Sequence, residues 1–198
     1  FNGDAVRPRE QTRYGVPTAF GRHGWGTVET NDAYVRFNAS ARGATALDDY
    51  RNEPNTYGWV VEIDPFDPTS TPKKRTALGR LGHEGAWVAP VRNNRPVVVY
   101  MGDDSRGEYV YKFVSRGLWR KSGDNRNLLE DGTLYVARFN DDGSGFWIDL
   151  VFGRNGLTPE NGFANPADVL VNARRAADLV GATPMDRPEW GTVEVETQ

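Results

Sequence analysis

Short runs of aromatic and β-branched residues, separated at close intervals by glycine and proline, constrain the fold of this 198-residue chain more than any other feature. Its 22 glycines and 12 prolines leave little room for long helices, whereas runs of this length are typical of strands. The sequence predicts strands at 57–63, 97–101, 108–114, 133–140 and 145–150. The segment NDDGS at 140–144 predicts a hairpin turn, because Asp and Gly tolerate positive φ.

Three of these strands share one pattern, which is an aromatic residue, Val, any residue, a charged residue and a bulky apolar residue. They lie at 59–63, 109–113 and 135–139. The pattern suggests a repeated unit such as a propeller blade, although the intervals between the three copies are unequal. A sandwich of two sheets, or the general likeness of half-buried strands, explains the pattern equally well. Trp59, Trp87, Trp119 and Trp147 lie in or near strands and are predicted to be core residues.

One helix is predicted at 166–180. Asn165 can cap it, Pro166 suits its first position, and apolar residues follow at helical spacing until Gly181. Arg174 and Arg175 fall off this apolar stripe, and both are predicted to face solvent.

Composition and motif searches exclude several classes of function. The net charge of −3 gives no general attraction for nucleic acid or an anionic membrane, so we expect neither as a partner. No apolar run approaches the roughly 20 residues of a spanning helix. The absence of cysteine excludes disulfides, thiolate zinc sites and cysteine nucleophiles. Phosphate-binding loop, HExxH, GxSxG and dinucleotide-binding motifs are also absent from the sequence.

Carboxylates are concentrated in two segments where a strand meets a loop. GRLGHEG at 79–85 surrounds His83 and Glu84 with glycine, and His83 could support a metal ligand or simply be structural. MGDD at 101–104 follows an apolar strand, and Glu108 lies just beyond it. The adjacent Asp103 and Asp104 would repel each other, and a hard cation such as calcium could offset that repulsion. A solvated acidic turn is the simpler alternative.

A third segment, MDRPEW at 185–190, combines an arginine with a carboxylate. In an extended backbone, Arg187 and Glu189 project to the same side and can reach one site. Arginine offers a planar fork to phosphate, and glutamate can bind a metal. A surface ion pair would satisfy the same pattern.

Longer stretches of the sequence resemble the PhoX family of calcium-dependent alkaline phosphatases. The resemblance rests on GRHGW at 21–25, YGWVVEIDPFDP at 57–68, KRTALGRLGHEGA at 74–86, VVVYMGDDSRGEYVYKFVS at 97–115 and VLVNARRAADLVGATPMDRPEW at 169–190. It implies an all-β fold, a partial β-propeller with short helical insertions, and one incomplete segment spanning 1–198 of a larger phosphatase domain. We therefore expect this segment alone to be marginally stable and inactive, because an open propeller exposes strand edges.

The same resemblance implies the function of the full-length protein. It would release inorganic phosphate from small-molecule phosphomonoesters, as a monomer in the periplasm or outside the cell, with calcium and ferric iron as cofactors. Arg187 would bind the substrate phosphate. Glu84 and Glu189 would be metal ligands, with Asp103 and Asp104 as further ligands and Glu108 a weaker candidate. The alternatives are a non-catalytic, calcium-stabilised propeller that binds another molecule, and a propeller hydrolase of a different ester.

Overall fold

The computed structural model describes residues 1–19, 21–28 and 32–194, and the chain forms two compact units, Phe1–Tyr57 and Gly58–Gln198. The first unit contains two short helices, α1 (Arg9–Arg13) and α2 (Asp32–Val35). The second unit contains β1 (Val61–Glu62), β2 (Lys73–Lys74), β3 (His83–Val88), β4 (Arg95–Asp103), β5 (Arg106–Glu108), β6 (Val110–Trp119), β7 (Gly132–Phe139), β8 (Gly145–Asp149), α3 (Pro166–Val171), α4 (Ala173–Leu179) and β9 (Met185–Asp186).

The first unit is held by an aromatic cluster and a short backbone bridge. The Phe37 ring lies 5.4 Å from Phe1 and 5.1 Å from Trp25, and Phe1 also meets Tyr57 edge-on. Asn2 pairs with Asn38 in a parallel bridge. Since this unit has few regular elements, ring packing provides much of its organisation.

The second unit is built on one antiparallel sheet with strand order β3-β4-β6-β7-β8. Two separate pairs, β1-β2 and β5-β9, accompany it. Buried residues alternate along β4 and β6, so one face of the sheet carries side chains such as Val99, Met101 and Phe113. These side chains form one hydrophobic cluster with Val169 and Ala173 of the two helices. Burial of this face therefore holds the helices to the sheet.

The structure confirms the strands predicted at 97–101, 133–140 and 145–150, and the turn between the last two. In that turn, the Asn140 amide donates to the Ser144 carbonyl at 2.8 Å, and Gly143 has a φ of 83°. The strand predicted at 108–114 is wrong in one respect, because it is divided at Tyr109 between β5 and β6. The strand predicted at 57–63 is too long, because only Val61–Glu62 pairs.

The three similar segments do not occupy equivalent positions in this structure. The segments at 109–113 and 135–139 lie in neighbouring strands of one sheet, whereas the segment at 59–63 lies outside that sheet. Their common pattern therefore does not correspond to a repeated unit within the described residues. The described fold is mainly β with few helices, and its sheets are open. No helix in the described ranges is long and apolar enough to cross a bilayer.

The helix predicted at 166–180 is in fact two helices that meet at Asn172, whose φ and ψ are −109° and 38°. Arg80 hydrogen-bonds to two backbone carbonyls at this break. Its amide donates to the Leu170 carbonyl at 2.9 Å, and its Nε donates to the Val171 carbonyl at 2.7 Å. The predicted apolar positions stay on the core side across the break, since Ala173, Ala176 and Ala177 belong to the same buried cluster as Val169.

The predicted cap at Asn165 is confirmed, since its side chain accepts a hydrogen bond from the Asp168 amide at 3.0 Å. Replacing Asn165 with alanine removes this acceptor. We expect the free energy of unfolding to fall by about 1 kcal/mol, measured by urea denaturation. Asn165→Asp is the control, because aspartate keeps the capping oxygen; equal losses in both variants would contradict the assigned cap.

Candidate functional site

The carboxylate segments meet where β4 ends. Strands β5 and β9 pair there, with Arg106 opposite Asp186 and Glu108 opposite Met185. This pairing brings the loop after β4 against the segment that carries Arg187 and Glu189. At Gly102, a Cβ would lie 2.1 Å from the Pro188 carbonyl oxygen, so glycine is needed for this close approach.

Asp103 lies on the buried side of the site and has no exposed surface. Arg174 binds its carboxylate in bidentate fashion, with Nε 2.7 Å from Oδ2 and Nη2 2.6 Å from Oδ1. The Gly82 amide also donates to Oδ1, at 2.9 Å. Glu108 lies 3.6 Å from the same guanidinium. Asp103 is thus held between a strand end and helix α4.

Asp104 lies on the exposed side and binds a second arginine. Arg187 donates from Nε and Nη2 to the two Asp104 oxygens at 2.8 and 2.9 Å. Its Nη2 also lies 2.8 Å from Glu189 Oε1. The hydrogen bonds from Arg187 are the main reason why the pKa of Asp104 lies below its ordinary value, and the positive charge of Arg187 adds to this effect, while desolvation opposes it. The Arg187 pKa is raised by the same pairing.

Arg187 and Glu189 meet as the sequence predicted, but the backbone between them is not extended. Arg187 has a φ of 59°, in the left-handed region that non-glycine residues rarely adopt. A turn directly after β9 therefore directs the guanidinium towards Asp104. Such local strain is common at functional sites, where the surrounding contacts maintain it.

Glu84 and His83 lie on β3 and not in a loop, where the sequence had suggested them. The Glu84 side chain is exposed and contacts Asp104, whereas His83 pairs with Asp103 across the strands. His83 Nε2 lies 3.0 Å from the Gly79 carbonyl, and burial lowers the pKa of the imidazole. A neutral ring with Nε2 as the donor fits this geometry.

The structure therefore separates the predicted residues into two groups. Glu84, Asp104, Arg187 and Glu189 form a cluster that opens to solvent, here called the exposed cluster, in which the Asp104 side chain is only 16% exposed. Asp103 and Glu108 face inwards, towards Arg174. The two adjacent aspartates each bind their own arginine, and these two guanidinium cations offset the repulsion expected between the carboxylates. Any metal role for Asp103 or Asp104 stays a prediction.

Similarity to known proteins identifies the family of this chain. A family model described as alkaline phosphatase PhoX matches residues 1–198. The chain belongs to the PhoX alkaline phosphatase family. A solved structure of Pseudomonas fluorescens PhoX in complex with vanadate, a transition state analogue, is 46% identical and has a TM-score of 0.82. The match covers 96% of this chain and 33% of that one, so the chain spans about a third of its length. No curated protein matches.

The exposed cluster offers the carboxylate oxygens that a PhoX metal site would need. It provides fewer ligands than such a site requires. Carboxylate oxygens suit hard cations, and calcium takes six to eight oxygen ligands. Within the described ranges, no group of three or more His, Asp or Glu side chains is arranged to hold a metal ion. A metal role for Glu84 and Glu189 therefore stays a prediction.

Sequence reasoning missed Arg174, which was predicted to be solvated and is instead 9% exposed. The error arises because Arg174, although it lies off the alanine stripe, meets the buried carboxylates of Asp103 and Glu108, which are distant in sequence. Arg175 is only half-buried and stacks over Phe163, 5.2 Å from the ring centroid. Arg174 lies in the alanine-rich stretch 173–177. A basic residue in such an apolar stretch was the sign in the sequence that its side chain has a buried acidic partner.

Proposed function

We propose that the full-length protein hydrolyses phosphate monoesters with the help of bound metal ions. The observation that carries this proposal is the Arg187 guanidinium, held by Asp104 and Glu189 beside the exposed Glu84. An arginine fixed among carboxylates can receive the phosphoryl group of a substrate next to metal ligands. Membership of the PhoX family supports the same chemistry.

Arg187 is proposed to bind and orient the substrate phosphate. Its side chain is about half exposed, at 51%, and its contacts use Nε and Nη2, so the N–H groups of Nη1 can donate to phosphate oxygens. Asp104 and Glu189 limit the motion of the guanidinium before substrate arrives. Preorganised donors of this kind stabilise the charge that develops in the transition state.

Glu84 and Glu189 are proposed as ligands of calcium and ferric iron, and Asp104 is close enough to Glu84 to join them. Asp103 could take part only by sharing an oxygen that now accepts from Arg174 or Gly82. When bound, such cations neutralise phosphoryl charge and lower the pKa of coordinated water. The chain's own contribution is to hold the carboxylates and Arg187 on one side of the site.

The wider properties of the protein are also proposals that rest on the family. We propose export to the periplasm or beyond, a monomeric state, and a β-propeller to which the five-stranded sheet contributes. Small phosphomonoesters are the proposed substrates, which the family and the vanadate complex of its solved member support. Because the match covers a third of the solved structure, activity is proposed for the full-length protein.

Replacing Glu84 with alanine is expected to remove metal, because the exposed carboxylate is lost while the buried core is untouched. We expect calcium or iron per chain to fall by at least about half in the full-length protein, measured by elemental analysis. Glu160→Ala, at an exposed glutamate outside the cluster, should leave the metal content unchanged. A fully metallated Glu84→Ala protein would contradict the ligand assignment.

A substrate panel tests the class of reaction. Phosphate monoesters, a phosphotriester and a lactone are offered to the full-length protein at equal concentration. The proposal requires that turnover is largest for the monoesters, because only they present a dianionic phosphoryl group to Arg187. Faster turnover of the lactone or triester would favour another ester hydrolase, and no turnover of any ester by metallated protein would favour a binding module.

A further inference from the structure

An apolar pocket opens beside the exposed cluster, on the face of the sheet opposite the helices. It encloses about 240 Å³ and is bounded by Trp87, Tyr100 and Trp147 on the sheet, and by Pro188, Glu189 and Trp190 on the following segment. Glu189 belongs to both sites, because it lines the pocket and its carboxylate contacts Arg187 at 2.8 Å. The pocket therefore borders the proposed phosphate site at Glu189.

Two of the tryptophans that line this pocket, Trp87 and Trp147, were predicted to be core residues, and this prediction is wrong. Both are only half-buried, on the outer face of the sheet. The Lys112 ammonium lies 4.6 Å from the Trp147 ring centroid, and Tyr100 lies 5.9 Å from the same ring. These contacts fix the Trp147 ring while leaving surface open to the pocket.

Backbone packing fixes the opposite wall. A Cβ at Gly191 would lie 2.7 Å from the Trp87 ring, so this glycine allows the chain to pass directly over the indole. Trp190 precedes it and is 88% exposed at the rim. A large aromatic side chain in this position is costly to leave in water, and next to a ligand site it is typical of a binding surface.

We infer that this pocket binds the organic group of the phosphate ester and favours aromatic leaving groups. The inference rests on the proposed function, since it places the phosphoryl group at Arg187. An aryl ring that enters the pocket would contact Trp87 and Trp190 while its ester oxygen remains near Glu189. A short alkyl group would bury little surface there, so the pocket contributes to selectivity among monoesters.

The test compares phenyl phosphate with ethyl phosphate in the full-length protein and in Trp190→Ala. For each ester, the kcat/KM of the variant is divided by that of the wild type, so the different reactivities of the two esters cancel. We expect kcat/KM for phenyl phosphate to fall about tenfold and that for ethyl phosphate to change less than twofold. Trp190→Phe should restore most of the loss. Phe66→Ala, at an exposed aromatic residue outside the pocket, is the matched control.

Inhibition by inorganic phosphate separates this inference from the proposed function. Phosphate has no organic group, so its inhibition constant should be the same in wild type and Trp190→Ala. Equal losses for both esters, or no loss for either, would overturn the pocket assignment while leaving phosphatase activity established. A wild-type protein that hydrolyses neither ester and does not bind phosphate would instead refute the proposed function.

Discussion

Replacing Arg174 with methionine is expected to lower the free energy of unfolding by about 3–5 kcal/mol, the largest stability effect of any change considered. The side chain of Arg174 is 11% exposed, and it supplies two hydrogen bonds to an Asp103 that has no exposed surface. Methionine fills similar space but leaves the buried carboxylate without its cation. Chemical denaturation of the full-length protein measures the change.

Arg175→Met is the control for Arg174→Met, because the neighbouring arginine is half-buried and stacks on Phe163 without a buried carboxylate partner in the described contacts. Its effect should stay below about 1 kcal/mol. The double variant Arg174→Met, Asp103→Leu should recover part of the loss, since it removes the paired charges of Arg174 and Asp103 while the buried Glu108 carboxylate remains. If the free energy of unfolding falls no further in Arg174→Met than in Arg175→Met, the Arg174–Asp103 pair does not stabilise the site.

Replacing Arg187 with alanine is expected to reduce kcat/KM for phosphomonoesters by about 10²–10³-fold, because a preorganised donor to the transferring phosphoryl group is removed. Arg187 is half exposed, so the fold should tolerate the change. Steady-state kinetics on the full-length protein measure the effect. Arg187→Lys keeps the charge without the planar fork and should recover only part of the rate.

The metal content of Arg187→Ala distinguishes a loss of phosphate binding from a loss of the metal site. Calcium and iron should stay near the wild-type level, because arginine is not a metal ligand. Arg116→Ala removes an exposed arginine that pairs with Asp131 and should change neither rate nor metal content. If Arg187→Ala loses metal together with activity, the direct role proposed for Arg187 is incorrect.

The parts of the fold that local sequence determines were predictable. Strands β4, β7 and β8 follow from apolar and aromatic runs, and the turn at 140–144 follows from Asp and Gly. The cap at Asn165 is likewise local. Strand β3 was missed because Gly85 and its neighbours predict flexible backbone; in the structure, the Trp87 ring occupies the space where a Gly85 Cβ would lie, at 2.5 Å.

The contacts that organise the site could not be predicted, because they join residues far apart in sequence. Arg174 and Asp103 are 71 positions apart, and Arg187 and Asp104 are 83 apart. The sequence indicated that acidic residues and Arg187 belong to functional segments. It did not indicate which of Asp103 and Asp104 faces inwards. That depends on which face of β4 the other elements cover, and the sequence does not show this.

Release of inorganic phosphate by the full-length wild-type protein tests the central claim most directly. The protein is assayed with a phosphomonoester as purified, after calcium chelation, and after calcium is added back. We predict release of phosphate that is lost on chelation and restored by calcium. Absence of release from protein that contains both calcium and iron, or release that chelation leaves unchanged, would contradict a metal-dependent phosphatase built on Glu84, Arg187 and Glu189.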